Sequence, residues 1–356
     1  MSSTLPLRSE VALESKVAFL RQPSSFPDRP YRVEAIETHM SWVFLTERHA
    51  YKLKKPVCQD VLDFRTIAAR QYYCNEEVRL NRRLAADVYL GVVALSLDSL
   101  GHLRLEHDGQ SEDGRVIVDW LVQMRRLPAQ WMLDYAIKNR SLHDDDIARI
   151  ASHLAAFYGA CEPASIDAAA YRTAFLGAID RNQQILTRPE YRLPSQSIDD
   201  LCAAQRAVLH TGADLFDARI RAGKIVEGHG DMRPEHICLR PDIAVIDCLE
   251  FSRALRIVDP VDELAYLALE CERLGMPNAG NLLLRAYREK SGDRFEAGLV
   301  YFYQVFRALL RAGIAIRHVD EERYRHSAEW HRRATSYLQL AEKRQNASNS
   351  VIDPPV

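Results

Sequence analysis

The chain has 356 residues, which suits two units of ordinary size better than one core. Hydrophobic residues make up 47% and charged residues 27%, an ordinary globular composition. Its 47 Lys plus Arg stand against 49 Asp plus Glu, so it lacks the basic field of a nucleic-acid or anionic-membrane binder, and neither partner is expected. Seven scattered cysteines include no C-x-x-C pair, and reduced thiols are expected. The opening MSSTLPLRSEVALESK lacks a basic region followed by an apolar run, and no uncharged apolar run nears about 20 residues. A cytoplasmic address follows as the expectation.

Residues 8–21 carry a weak helical pattern, and the Pro-containing 24–31 reads as a connector. Segments 32–37, 41–46 and 50–55 are rich in β-branched and aromatic residues and predict three consecutive strands. A helix is predicted over about 64–86, with Tyr73, Glu77, Leu80 and Leu84 at helical intervals. Strands over 103–107 and 116–124 follow, joined by a turn-rich 108–114. Beyond Pro128 the pattern is helical over 129–139, 144–160, 166–188 and 198–222. A β-hairpin at about 225–248 interrupts it, then helices resume over 260–274, 278–290, 294–318 and 320–345, and the tail from Asn346 reads as disordered. Strands and helices do not alternate throughout, which excludes a doubly wound parallel sheet. A small antiparallel lobe followed by a mostly helical lobe, an α+β arrangement, fits instead.

Two blocks carry the chemistry. The first is His229-Gly230-Asp231-Met232-Arg233-Pro234-Glu235-His236, with an Asp in a tight turn. The second is Val245-Ile246-Asp247-Cys248-Leu249-Glu250-Phe251, with an Asp at the end of a short apolar strand. Upstream stand Trp42-Val43-Phe44-Leu45-Thr46 and Tyr51-Lys52-Leu53-Lys54-Lys55-Pro56. Taken together and in this order, over about residues 33–318, the blocks resemble the aminoglycoside-phosphotransferase-like family, in a bacterial branch of unknown substrate.

The resemblance implies the two-lobed protein-kinase-like fold with ATP between the lobes. It divides the chain into an extension (1–30), a nucleotide-binding lobe (31–124), a helical lobe with the catalytic hairpin (125–345) and a tail (346–356). It gives Asp231 the role of proton acceptor for an incoming hydroxyl, with His229 bracing the loop. Asp247 becomes a ligand for Mg2+ bridging the nucleotide phosphates. A strand lysine should reach those phosphates, held by a helix glutamate. Lys54 fits the family's pattern better than Lys52, and Glu77 better than Glu76. The backbone near Gln123 and Met124 would meet adenine. Glu250 and Arg233 are candidates for acceptor contact, Arg233 alternatively pairing with Glu235. At His236 the family usually has Asn, and imidazole nitrogen suits Mn2+ better than Mg2+. His236 is therefore either a metal ligand, a phosphate contact, a bystander, or a sign that transfer is lost.

Three function classes follow: an ATP-dependent phosphotransferase for a small-molecule hydroxyl, a kinase-like nucleotide binder without transfer, and a metal-dependent hydrolase built on His229, Asp231, His236 and Asp247. The acids Asp259, Asp262 and Glu263 sit where the family's relatives bind acceptors; Asp259 reads first as the start of a helix, with Asp262 and Glu263 favourably placed in its first turn. Arg307, Arg311, Arg317 and His318 read as one helix face. Oligomeric state is not legible.

Overall fold

The computed structural model describes residues 11–59, 62–106 and 114–352. The described residues form two compact units, the first within 1–128 and 244–252, the second within 129–243 and 253–356.

The first unit is built on a six-stranded antiparallel sheet. Helix α1 (Leu13–Leu20) precedes β1 (Glu34–Glu37), β2 (Ser41–Leu45) and β3 (His49–Lys54). Two short strands, β4 (Cys58–Gln59) and β5 (Leu62–Asp63), pair with each other. Helix α2 (Ile67–Asn81) follows, then β6 (Tyr89–Leu97), β7 (Leu103–Glu106) and β8 (Val116–Arg125). The sheet order is β1-β2-β3-β8-β6-β7.

Thr66 starts α2 by accepting the Ala69 N–H at 3.1 Å, which satisfies one of the free donors of the first turn. On β3 the side chains alternate. Tyr51 and Leu53 join Val17 and Leu20 of α1, Phe26, Phe44, Val93 and Leu121 in the core. Burying each such side chain contributes about 1.5–3 kcal/mol. Lys52 and Lys54 therefore lie on the opposite face, where α2 packs. Lys16 of α1 is buried and reaches Asp119 Oδ2 at 2.7 Å and the Val118 carbonyl at 3.0 Å. Arg70 of α2 holds Asp119 Oδ1, also at 2.7 Å. One carboxylate thus ties both flanking helices to β8.

Strand β6 is absent from the sequence reading. Its Val93, Ala94, Leu95 and Ser96 are all buried, because the sheet is covered on both faces, so the alternation that marks a half-exposed strand is missing. Helix α2 stops at Asn81, short of the expected 86, and the chain turns before entering β6. Most of the expected 108–114 turn lies outside the described residues.

The second unit is mainly helical: α3 (Leu133–Lys138), α4 (Asp144–Ala160), α5 (Ala168–Leu186), α6 (Ser195–Thr211) and α7 (Ala213–Arg221). Short strands β9 (Val226–Glu227) and β10 (Ile237–Cys238) flank the His-Gly-Asp loop, and β11 (Ile257–Val258) pairs with β9. Then come α8 (Pro260–Arg273), α9 (Pro277–Ser291), α10 (Ala297–Arg317) and α11 (Ala328–Ile352). The single helix expected over 198–222 breaks at Gly212, where an added Cβ would stand 2.9 Å from the Val208 carbonyl oxygen. The last helix begins later than expected and continues past Asn346 to Ile352, so the expected disordered tail is helical that far.

The core helix is α10. Its Phe302 and Phe306 meet Phe175 of α5 edge-on at 5.5 and 4.8 Å, and Phe216 of α7 meets Phe302 at 4.9 Å. A window in 297–320 is apolar enough to cross a membrane by composition, yet 78% of it is buried inside the protein, the pattern of a core helix.

Candidate active site

In the first unit three carboxylates, those of Glu77, Asp247 and Glu250, converge on Lys52 and Lys54. Glu77 of α2 is fully buried and divides its carboxylate between them, Oε1 to Lys52 Nζ at 2.8 Å and Oε2 to Lys54 Nζ at 2.5 Å. Lys52 also reaches Asp247 Oδ1 at 2.7 Å, across 195 positions of sequence. Lys54 pairs with Glu250 and lies 5.0 Å from the centre of the Phe64 ring. Burial opposes the charge of both lysines, but the carboxylates outweigh it and hold both ammonium groups above their ordinary range. Glu77 is pulled down despite its burial, because both lysines favour its ionised form. Glu76 instead pairs with Arg79 on the helix surface.

The two lysines differ in access. Lys54 is 1% exposed and enclosed by Glu77, Glu250 and Phe64, whereas Lys52 is 15% exposed beside an Asp247 side chain that is 46% exposed. Asp247 adopts a left-handed backbone with φ 64°, which Asp tolerates better than most residues. Its N–H donates to Tyr89 Oη at 3.1 Å, and the next N–H, of Cys248, donates to Asn81 Oδ1 at 2.9 Å. Asn81 in turn donates to the Glu77 carbonyl, so one helix holds both the glutamate and the Asp247 turn.

Gln123 and Met124, expected to offer backbone to adenine, lie inside the sheet. Both are paired to β3 on one side and β6 on the other, and the Gln123 amide donates to Tyr51 Oη at 3.1 Å. The strand runs on to Arg125, and the chain is clear of the ladder only at Leu127 and Pro128.

In the second unit the His-Gly-Asp turn is clamped from α8. Glu263 is fully buried and accepts the His229 N–H at 3.0 Å, the Gly230 N–H, and the Tyr158 hydroxyl at 2.7 Å. Gly230 takes φ 92°, a conformation costly for other residues. His229 Nδ1 accepts the Asp231 N–H at 3.2 Å. The Asp231 carboxylate has Arg233 Nε 3.0 Å from Oδ2 and the Tyr266 hydroxyl 3.4 Å from Oδ1. Burial would raise its pKa, but the neighbouring guanidinium groups, Arg233 foremost and Arg311, outweigh that and hold it below the ordinary carboxylate value. Arg233 also reaches Glu235 Oε1 at 2.9 Å.

His236 is turned into this loop. Its Nε2 lies 3.1 Å from Arg233 Nη2, a group that can only donate, so Nε2 accepts. Nδ1 must then carry the proton it donates to the Asp231 carbonyl at 2.9 Å. Both ring nitrogens are committed to the loop, an arrangement that does not present them to a metal. The same holds against a hydrolase cluster, since His229 also spends Nδ1 on backbone. Glu250, expected near an acceptor, is 9% exposed and engaged with Lys54.

Comparison with known proteins adds the architecture. No family model matches the chain. It is 31% identical over 300 residues to uncharacterized proteins of Mycobacterium tuberculosis and Mycobacterium bovis, covering 81% of this chain and 55% of theirs. The chain thus spans about half the length of these relatives. Among solved structures it resembles choline kinase from Cryptosporidium parvum, with a TM-score of 0.54, 10% identity, and coverage of 94% of this chain and 97% of that one. It also resembles a choline/ethanolamine kinase family protein from Mesorhizobium loti, with a TM-score of 0.51, 16% identity and 96% coverage of both. The fold is protein-kinase-like.

Within this kinase-like fold, several residues have supporting roles that the sequence reading did not assign. Glu263 acts on His229 and Gly230 from 34 and 33 positions away, and nothing local marks it. Arg307, read as part of one helix face, is buried and holds Asp262 through two bonds of 2.7 and 2.6 Å. Its signal was present: a charge inside an otherwise apolar helix is expensive unless paired. Gly228 admits no side chain, since a Cβ would lie 2.5 Å from Glu263 Oε2 and 2.6 Å from Val258 Cγ2. Gly228→Ala should therefore cost about 1–3 kcal/mol by overpacking, measured as a lowered melting temperature of the full chain.

Proposed function

We propose that the chain is an ATP-dependent phosphotransferase acting on the hydroxyl of a small molecule. The observation that carries this reading is the Glu77–Lys52–Asp247 arrangement, with contacts of 2.8 and 2.7 Å. A lysine held by a helix glutamate and set beside a metal-binding aspartate is what phosphoryl transfer in this fold requires. The likeness to solved proteins named as choline and choline/ethanolamine kinases supports a small-molecule acceptor.

In this reading Lys52 takes the phosphate contact that the sequence pattern favoured for Lys54, because Lys54 is enclosed and Lys52 is not. Lys54 fixes Glu77 and Glu250. Asp247 would hold Mg2+: its carboxylate oxygens suit a hard cation that takes few protein ligands and fills its shell with phosphate and water. Bound there, the ion would neutralise phosphate charge. His236 is left out of the metal set and braces the Asp231 carbonyl. Asp231 accepts the proton of the acceptor hydroxyl while that oxygen bonds to the γ-phosphorus, the bond from phosphorus to the bridging oxygen breaks, and ADP leaves.

Nucleotide titration of two variants separates the lysines. Lys52→Met should weaken ATP binding about tenfold to a hundredfold, a loss of one charge-assisted contact. Lys54→Met should act mainly by lowering the melting temperature. Equal loss of affinity in both, with unchanged melting, would return the phosphate role to Lys54. A nucleotide binder without transfer is favoured by one observation, the replacement of a metal-binding side chain by the committed His236 ring. ATP turnover measured with Mg2+ and with Mn2+ decides between the two readings.

A further inference from the structure

Arg311 sits one helical turn after Arg307 on α10, on the same face. Arg307 is saturated by Asp262 and lies 5.3 Å from the centre of the Tyr266 ring. Arg311 has no such partner. Its Nε is buried without a hydrogen-bond acceptor, and among the described residues no carboxylate lies within 4.0 Å of it. The surrounding acids are already occupied. Asp231 is held by Arg233 and Tyr266, and Glu270 by Tyr337 at 2.7 Å and Arg273 at 2.8 Å. The Arg311 charge nevertheless acts on Asp231, being one of the cations that lower its pKa. A partly buried guanidinium beside the base of a transfer site, with no anion of its own, is completed by an anion brought from outside.

We infer that Arg311 recognises a carboxylate or phosphate on the acceptor, so that the substrate class is an anionic alcohol, a hydroxy acid or a phosphorylated alcohol. This rests on Asp231 being the base, as proposed above. The acceptor's anion sits on Arg311 while its hydroxyl faces Asp231, and the proton and phosphoryl group move as already described. A cationic acceptor would meet like charge from Arg311.

Calorimetric titration of the full chain with D-glycerate, glycerol 3-phosphate, glycerol and choline tests this. At least one of the two anions should bind about tenfold or more tightly than glycerol or choline, and which of the two does so identifies the group. Arg311→Met should abolish that preference, and Arg311→Lys should restore part of it because it keeps the charge without the fork. Melting temperatures of both variants report folding. Binding of choline or glycerol as tightly as the anions, no binding by either anion, or anion binding unchanged in folded Arg311→Met would each overturn the inference. The ATP titration of the same preparations is read separately. Anion binding through Arg311 without ATP binding would leave the anion site standing and sink the phosphotransferase reading.

Discussion

Asp231→Asn should lower kcat about a thousandfold, the middle of the range for a positioned general base, and leave ATP binding within about twofold. Asn has nearly the same shape and can still meet Tyr266 and Arg233, but it cannot take a proton. The local charges hold the Asp231 carboxyl below 3.8, so it is fully ionised at neutral pH and is a weak base. It therefore gains little by deprotonating a resting alcohol. In the proposed reaction its proton transfer belongs late, when bonding to phosphorus has made the hydroxyl acidic. Activity tied to this group falls only as pH drops through its lowered pKa, so the acid limb Asp231 contributes to the kcat profile lies below the one an ordinary carboxylate would give. Single-turnover rates with Mg2+ across pH 4 to 9 for both proteins check this. Turnover in Asp231→Asn near that of the wild type removes Asp231 from the chemistry.

Glu77→Ala should cost about 3–5 kcal/mol, the scale for stripping one partner from a buried ion pair. Two lysines depend on Glu77, and Lys54 is almost wholly enclosed. Glu77 is lowered below its ordinary 4.5, so its contribution is fully present above that pH and is lost as pH falls through the folded value. Both lysines are raised above 10.5, so their contribution is present below that pH and lost only at stronger alkali. The variant should therefore differ most from wild type between about pH 5 and 10, and the two should converge in acid. Urea unfolding at pH 7 and at pH 3.5 measures both. A loss under about 1 kcal/mol at pH 7 would mean the cluster is solvent-screened and contributes as a surface pair does.

The parts of the fold that were legible have one face open or one strong local signal. Strands β1 to β3 are marked by β-branched and aromatic residues between short polar turns, α4 carries periodic apolar residues, and Asp259 accepts the Val261 N–H at 2.9 Å as a helix-opening residue should. Strand β6 was missed because burial on both faces erases alternation, and Gly91 inside it reads as a break. Within the site, the alternation along β3 put Lys52 and Lys54 on one face, and that much is geometry any strand obeys. Ranking the two required knowing that Phe64 and Glu250 close over Lys54, contacts made by residues remote in sequence. The same limit hid what Glu263 and Arg307 hold, although both positions were named from the sequence. His236 was ambiguous because its partners are a backbone carbonyl and a guanidinium, and neither leaves a spacing signature.

The left-handed turn at Asp247 separates architecture from chemistry at one position. Asn and Gly accept that torsion as easily as Asp does, while bulky and branched residues strain it. Drift there is confined to replacements that keep the bend and discard the negative oxygen. If the chain is the phosphotransferase proposed above, a descendant altered only at this position falls silent as a catalyst while retaining its shape and its melting point.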